Sequence, residues 1–208
     1  MGTKNKLIVD PVQKDLLTAC AELHVSGLNQ GFLSSLGPGI MQLIFLHGAQ
    51  SKFGSFIVCK RNDTVIGFLL GTLDTGQFYK NFVLKKGIKA GWILLPKIFN
   101  FSRLKKIFET LFYPSKNELR DLPRSELMDI VISDQAQGKG IGTALLNKFS
   151  DILHDANIAE FKVTTGEQLT EAAKFYKKHG GDFRGTIELH EGAKIHVYVC
   201  KTQKLDTF

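Results

Sequence analysis

The chain has 208 residues, 43% of them hydrophobic and 23% charged, which excludes a disordered or collagen-like protein. This length suits a single domain with a sizeable core, so we expect one domain over residues 1–208. The first thirty residues lack a basic segment followed by an apolar one, and no run reaches the roughly 18 apolar residues of a membrane span. These features predict a cytoplasmic protein.

The formal net charge of +7 is concentrated in one segment. Between Phe78 and Lys116 there are nine basic residues and one acid, Glu109, so this segment carries 9 − 1 = +8 and the rest of the chain 7 − 8 = −1. The positive charge therefore belongs to an insertion and not to the whole domain, and we expect no nucleic-acid partner.

Cysteine and histidine usage predicts neither a disulfide framework nor a metal site. Cys20, Cys59 and Cys200 are odd in number, far apart and without a CxxC pair. The six histidines lack the HxH and HExxH spacings of metal ligands. We expect the cysteines to be small buried hydrophobic residues and the histidines to have surface or structural roles.

The first part of the chain predicts a strand, two helices and a hairpin. The strand covers residues 7–10, and helical spacing of apolar residues follows over 12–28. Pro38 suits the first turn of a second helix that runs to Gln50. Two β-rich runs, 55–60 and 65–72, flank a four-residue polar loop, 61–64, typical of an antiparallel hairpin. A basic, aromatic-rich insertion at about 74–122 comes next.

From Glu126 onward, strands and helices alternate. The pattern predicts strand Glu126–Ile132, helix Gly142–His154, strand Glu160–Thr165 and helix Thr170–His179. Strand, helix, strand in this order is a βαβ unit. Two final strands are expected at 183–190 and 193–201.

A glycine-rich turn joins the predicted strand at 126–132 to the helix after it. Gly138, Gly140 and Gly142 let the backbone turn tightly and direct N–H groups toward one point, where the helix adds its unsatisfied amides and positive dipole end. Their alternate spacing fits neither the P-loop nor the Rossmann pattern. Spacing alone leaves a plain turn and a phosphate site equally open.

Two ordered motifs resemble the signatures of the GNAT superfamily of acetyl-CoA-dependent N-acetyltransferases. The first lies in residues 126–146, ELMDIVISDQAQGKGIGTALL, where Gln137, Gly140 and Gly142 match Gln or Arg, two residues, Gly, one residue, Gly or Ala. The second has an alanine, a Phe-Tyr pair and a glycine. Its residues are Ala172, Phe175, Tyr176 and Gly180.

This resemblance implies an α/β fold: a mixed, mostly antiparallel central sheet flanked by helices, with the insertion between strands three and four. It also implies that strands four and five splay apart to admit the pantetheine arm of acyl-CoA. The cosubstrate would be acetyl-CoA, and no metal would be needed. An alternative class is a non-catalytic acyl-CoA-binding module.

The resemblance assigns cosubstrate-binding roles along one continuous stretch. The strand edge would pair with pantetheine, and an amide near its end would polarise the thioester carbonyl. The turn would bind the coenzyme A pyrophosphate, mainly through main-chain N–H groups. The edge residues are Ile130, Val131 and Ile132, and the turn residues are Gln137, Gly138, Lys139, Gly140, Ile141, Gly142 and Thr143.

Two catalytic roles follow from the same resemblance. Tyr176 would protonate the departing thiolate, and Glu126 or a water would take a proton from the acceptor amine. Asp129 is a second candidate base. The odd spacing of Glu126 and Asp129 predicts opposite faces of the strand, so that only one can face the acceptor. Leu169 replaces an asparagine often found in the second signature, which removes one expected contact to the pantetheine arm.

The insertion and the acceptor leave several hypotheses open. The insertion could be a lid that attracts an anionic acceptor, a basic amphipathic helix at about 88–108 on an anionic membrane surface, a homodimer contact, or a solvated helical pair. Pro96 argues against one unbroken helix there. The acceptor is expected to be a primary amine of a small molecule, and an amino sugar, a polyamine, another small amine and a protein N-terminus all stay open.

Overall fold

The computed structural model of the protein describes residues 6–9, 14–27, 37–94, 121–188 and 194–203. Its centre is a seven-stranded sheet with the order β1-β2-β3-β4-β5-β7-β6, in which only the β4–β5 pair is parallel. The strands are β1 (Lys6–Val9), β2 (Gly54–Arg61), β3 (Thr64–Thr72), β4 (Glu126–Ile132), β5 (Glu160–Gly166), β6 (Asp182–Glu188) and β7 (Lys194–Lys201).

Helices cover both faces of this sheet. Within the described ranges they are α1 (Lys14–Gly27), α2 (Pro38–Gln50), α3 (Thr75–Leu94), α4 (Ile141–Asp155) and α5 (Thr170–Lys178). Pro38 occupies the first turn of α2, as predicted. The predicted mixed, mostly antiparallel sheet with flanking helices is confirmed, and β4 begins and ends at the predicted residues.

The β2–β3 hairpin differs from its predicted loop. Both strands extend further than expected, so only Asn62 and Asp63 remain between them. Their φ angles are 47° and 63°, which are the left-handed values of a two-residue type I′ turn. Asn and Asp tolerate this region better than most residues. The expected four-residue loop is therefore wrong, because its outer residues, Arg61 and Thr64, pair with each other.

Two hydrophobic clusters lie on opposite faces of the sheet. The first packs α1, α2 and α3 against the sheet around Phe45, Phe56 and Phe68, whose rings lie 4.9–5.7 Å apart. The second packs α4 and α5 against the other face around Phe149 and Phe161, whose rings meet edge to face at 5.4 Å. The central strands supply side chains to both clusters.

The three cysteines are free and buried, as predicted. Cys20 lies in the first cluster, and Cys59 and Cys200 lie in the second. Burial raises the pKa of the Cys200 thiol to about 11 and, with the negative charge of Asp129 as a second cause, that of Cys20 to about 12. Both thiols are therefore neutral packing groups.

Most of the described part of the insertion is the helix α3, which starts three residues after β3. Residues 121–125, directly before β4, are irregular. The predicted amphipathic helix at 88–108 overlaps α3 only over 88–94, and its remainder, with Pro96, lies outside the described residues. No helix in the described part of the chain is long and apolar enough to cross a membrane.

Candidate functional site

A gap opens between β4 and β5. The two strands pair only at Glu126 with Lys162 and at Leu127 with Val163. Beyond these pairs β4 stays bonded to β3 as far as Ile132, and β5 stays bonded to β7 as far as Gly166. The strands therefore splay apart, as expected. The inner edge of β4 over 128–132 has no β5 partner among the described residues, which leaves backbone groups for an extended ligand.

A bulge in β4 lies where the splay begins. Asp129 pairs with Leu70 and Leu127 with Gly71, so Met128 is an extra residue without a partner on β3. A bulge bends its strand and shifts the alternation of side chains by one residue. Leu127 packs in the second cluster, whereas Met128 and Val131 pack in the first.

The bulge places Glu126 and Asp129 on the same face of the sheet. Glu126 contacts Thr75 at the start of α3, and Asp129 contacts His24 in α1. Both helices belong to the first cluster. The expectation of opposite faces is therefore wrong, because simple alternation along a strand fails across an inserted residue.

Asp129 is tied to a buried histidine. Its Oδ2 lies 2.6 Å from Nδ1 of His24, and the two side chains are 7% and 3% exposed. The His24 ring also meets the edge of Phe45 at 6.1 Å. The pair satisfies two polar groups that would be costly to bury alone, and it fixes α1 to the bulged part of β4.

Glu126 lies at the narrow end of the gap, and three neighbours surround its carboxylate. Thr75 Oγ1 lies 3.1 Å from Oε2, Thr164 Oγ1 lies 3.4 Å from Oε1, and Lys162 Nζ lies 3.5 Å from Oε2. The side chain is 14% exposed. The carboxylate is thus held in place and is still partly exposed to solvent.

The glycine turn follows the wide end of the gap. Gly138 and Gly140 have φ angles of 70° and 77°, which favour glycine, and a Cβ at either position would meet nothing within 4 Å. The side-chain amide of Gln137 donates a hydrogen bond from Nε2 to the Ile132 carbonyl at 3.3 Å and so ties the turn to the end of the strand. Residues 137–140 are exposed.

Helix α4 begins at this turn with its first amides available. No side chain caps it at Gly140, and its first turn contains no acidic residue. The first four N–H groups of a helix lack intrahelical partners, and the dipole gives this end a partial positive charge. The turn and the helix start therefore form an exposed anion-binding surface at the end of the gap.

Helix α5 packs closely on the first turn of α4. A Cβ on Gly142 would lie 3.4 Å from the Phe175 ring, which is van der Waals contact, so the ring lies directly against this turn. His179 Nδ1 lies 2.8 Å from the Phe175 carbonyl and Nε2 lies 3.0 Å from Thr143 Oγ1. A carbonyl only accepts, so Nδ1 carries the proton and Nε2 accepts the Thr143 hydrogen bond when the ring is neutral.

Tyr176 projects from α5 into the second cluster and is 4% exposed. Burial raises the pKa of its phenol well above the ordinary range, and the negative charge of Asp129 raises it further. Gly180, with a φ of 80°, ends the helix, and Gly181 N–H donates to the Tyr176 carbonyl at 2.8 Å. This Schellman ending explains the glycine of the second motif.

The structure brings the two sequence motifs together. The β4 edge runs into the turn and α4, and α5 places Phe175 against Gly142 and Tyr176 beneath the sheet. The sequence did not predict that His24 would contact Asp129 or that His179 would contact Thr143. Only His179 had a local signal, since it lies four residues after Phe175 and so on the same helix face.

A family model and several solved structures are similar to this chain. The model of the Acetyltransferase (GNAT) family matches residues 35–181, more than half of the chain. No curated protein matches the sequence.

Solved structures share the fold at low sequence identity. SsHAT is 20% identical, with a TM-score of 0.68, over 95% of this chain and 99% of its own. A GNAT-family acetyltransferase from Bacillus cereus is 15% identical, with a TM-score of 0.56, over 95% and 99%. Ard1 from Thermoplasma volcanium is 12% identical, with a TM-score of 0.57, over 95% and 98%. Because the family model matches residues 35–181, the chain belongs to the GNAT acetyltransferase family.

Proposed function

We propose that the protein transfers the acetyl group of acetyl-CoA to a primary amine by direct attack, without a covalent enzyme intermediate. The observation that carries this proposal is the β4–β5 gap, which ends at an exposed, uncapped helix start. One end offers strand-edge hydrogen bonds and the other offers amides for a phosphate group. An acyl-CoA molecule needs both along one line.

Binding of acetyl-CoA would use main-chain groups for the most part. The amides from Gly138 to Thr143 would hold the pyrophosphate, and the edge from Ile130 to Ile132 would pair with the pantetheine arm. Thr143 would remain oriented by His179. An amide near Ile132 would stabilise negative charge on the thioester oxygen as the amine attacks.

Tyr176 would donate the proton that the leaving thiolate needs. In the reaction the amine nitrogen forms a bond to the carbonyl carbon, the carbon–sulfur bond breaks, and the electron pair stays on sulfur. A phenol whose pKa is raised by burial remains protonated at neutral pH. Protonation of the sulfur prevents the reverse attack, and solvent would return the proton to the tyrosine.

Glu126 would accept the proton that the amine loses, directly or through a water. It is partly solvent-accessible at the narrow end of the gap, whereas Asp129 is engaged with His24. A carboxylate held by two threonines and a lysine is also positioned before the acceptor arrives. The acceptor itself is proposed only as a small-molecule primary amine, with amino sugars among the first to screen.

Calorimetric titration tests the binding half of the proposal. The wild type should bind acetyl-CoA with micromolar affinity and should not bind ATP or NAD comparably. Gly140→Glu should abolish binding, because it places a negative charge where the pyrophosphate would lie. Gly140→Ala is the matched control, since its Cβ enters open space and adds backbone strain of only about 1–2 kcal/mol.

Turnover separates an enzyme from a non-catalytic acyl-CoA-binding module. With a panel of amines, Tyr176→Phe should lower kcat by about 10²-fold while acetyl-CoA affinity stays unchanged. If no amine in the panel releases coenzyme A above the background rate while binding is intact, the binding-module alternative stands.

A further inference from the structure

Helix α3 carries apolar side chains on its outer face as well as on its inner face. Phe82 and Ala90 are buried in the first cluster, and Phe78 is buried against the His47 ring of α2. Leu84, Ile88 and Trp92 are 75%, 84% and 72% exposed. We call these three residues the outer stripe. Their spacing of four places them along one side of the helix, and Leu84 lies roughly opposite Phe82 at about 100° per residue.

Positive charge flanks the outer stripe. Lys80, Lys85 and Lys89 are exposed beside it. Lys86 is two residues from both Leu84 and Ile88 and so lies on the opposite side, half-buried and 3.5 Å from Gln50 in α2. The helix has no acidic residue among its twenty. An exposed row of large apolar side chains, on a helix whose charged residues are all cations, is unusual for a face that stays in water.

We propose that the outer stripe of α3 binds the surface of an anionic lipid bilayer. The helix would lie in the plane of the interface, with Leu84 and Ile88 among the upper acyl chains and Trp92 at the level of the headgroups. The flanking lysines would contact anionic headgroups, each adding to the attraction.

Charge argues against two other occupants of the outer stripe. A second copy docked on the same face would bring the three exposed lysines of α3 against the same three of its partner, with no acid from either helix. Residues 95–120 of this chain carry six basic residues and two acids, so that segment would also add like charge. A nucleic acid would satisfy the lysines but would leave the three apolar side chains unexplained.

Trp92 makes the test direct, because it is the only tryptophan in the chain. Anionic vesicles of phosphatidylcholine with about one-third phosphatidylglycerol should shift its emission to shorter wavelength, and brominated acyl chains should quench it. Vesicles of phosphatidylcholine alone should produce neither effect. The binding should weaken as salt rises, because surface charges are screened.

Two pairs of variants separate the apolar and charged contributions. Leu84→Gln with Ile88→Gln should weaken binding to anionic vesicles by roughly tenfold or more, whereas Leu169→Gln with Phe183→Gln, which are exposed apolar residues elsewhere, should not. Lys85→Gln with Lys89→Gln should weaken it by about tenfold, and Lys174→Gln with Lys178→Gln should have a smaller effect at equal net charge.

Four results would overturn the proposal. The first is no emission shift with anionic vesicles at low salt. The second is Trp92 emission at short wavelength before lipid is added, because another surface then covers the outer stripe. This holds whether or not that wavelength depends on protein concentration. The third is a shift with RNA but not with lipid. The fourth is equal loss of binding in the matched control variants.

Discussion

At the scale of single residues, the two carboxylates of β4 have different surroundings on the same face. Glu126 contacts hydroxyl groups and a lysine at the narrow end of the gap, and its side chain is 14% exposed. Asp129 is paired with His24 and nearly buried. Partial exposure suits a group that exchanges protons with a substrate, whereas a buried pair suits a structural contact.

This difference predicts opposite consequences for two isosteric substitutions. Glu126→Gln should lower kcat/KM by about 10²-fold near pH 7, and the deficit should shrink as pH rises toward the pKa of the amine, because solution then supplies the neutral amine. Asp129→Asn should cost stability, about 3 kcal/mol, because it removes one partner of a buried pair. Rate–pH profiles and urea unfolding of both variants would measure this.

One outcome would assign the role of general base to Asp129 instead of Glu126. If Asp129→Asn gives the deficit that high pH restores, while Glu126→Gln leaves the profile unchanged, Asp129 would be the base and His24 its positioning residue. A profile unchanged in both variants would favour a water as the proton acceptor.

At the scale of elements, the bulge in β4 depends on close packing behind it. Gly71 pairs beside the extra residue Met128, and a Cβ at Gly71 would overlap the ring of Phe149, which is fully buried in α4. The glycine therefore lets α4 approach the sheet where β4 bends away from β5.

A matched pair of glycine substitutions tests this packing. Gly71→Ala should destabilise the protein by about 1–3 kcal/mol, because the Phe149 ring must move within a filled core. Gly91→Ala in the exposed part of α3 meets nothing within 4 Å and should stabilise it by about 0.5–1 kcal/mol through helix propensity. Melting temperatures should move in opposite directions, and a shift in the same direction would contradict the packing argument.

Elements with a strong local pattern could be predicted from the sequence. Features that depend on contacts between distant parts of the chain could not. The apolar run from Glu126 to Ile132, interrupted by Asp129, and the glycines from Gly138 to Gly142 are local patterns, so the sequence predicts β4 and the turn closely. The bulge at Met128 depends on register with β3. The His24–Asp129 pair joins residues 105 positions apart, which no periodicity indicates.

At the scale of the whole molecule, the central strands connect the two hydrophobic clusters. β2 and β3 contribute Phe56 and Phe68 to the first cluster and Ile57 and Leu69 to the second. The proposed acetyl-CoA site lies beside the second cluster at the start of α4, whereas Trp92 lies on the far side of the first. A sheet shared in this way should make both faces unfold together.

Acetyl-CoA binding should therefore stabilise the helix around Trp92 against unfolding, although the proposed site lies on the other face of the sheet. Acetyl-CoA at about 100 times its Kd should raise the free energy of unfolding by about 2.7 kcal/mol. The midpoint in urea should rise equally when followed by Trp92 fluorescence and by far-ultraviolet circular dichroism, because one cooperative transition controls both signals. Gly140→Glu should abolish the rise in both. If acetyl-CoA shifts the dichroism midpoint and leaves the Trp92 midpoint unchanged, α3 unfolds independently of the sheet, and its outer face could bind a surface without affecting the gap.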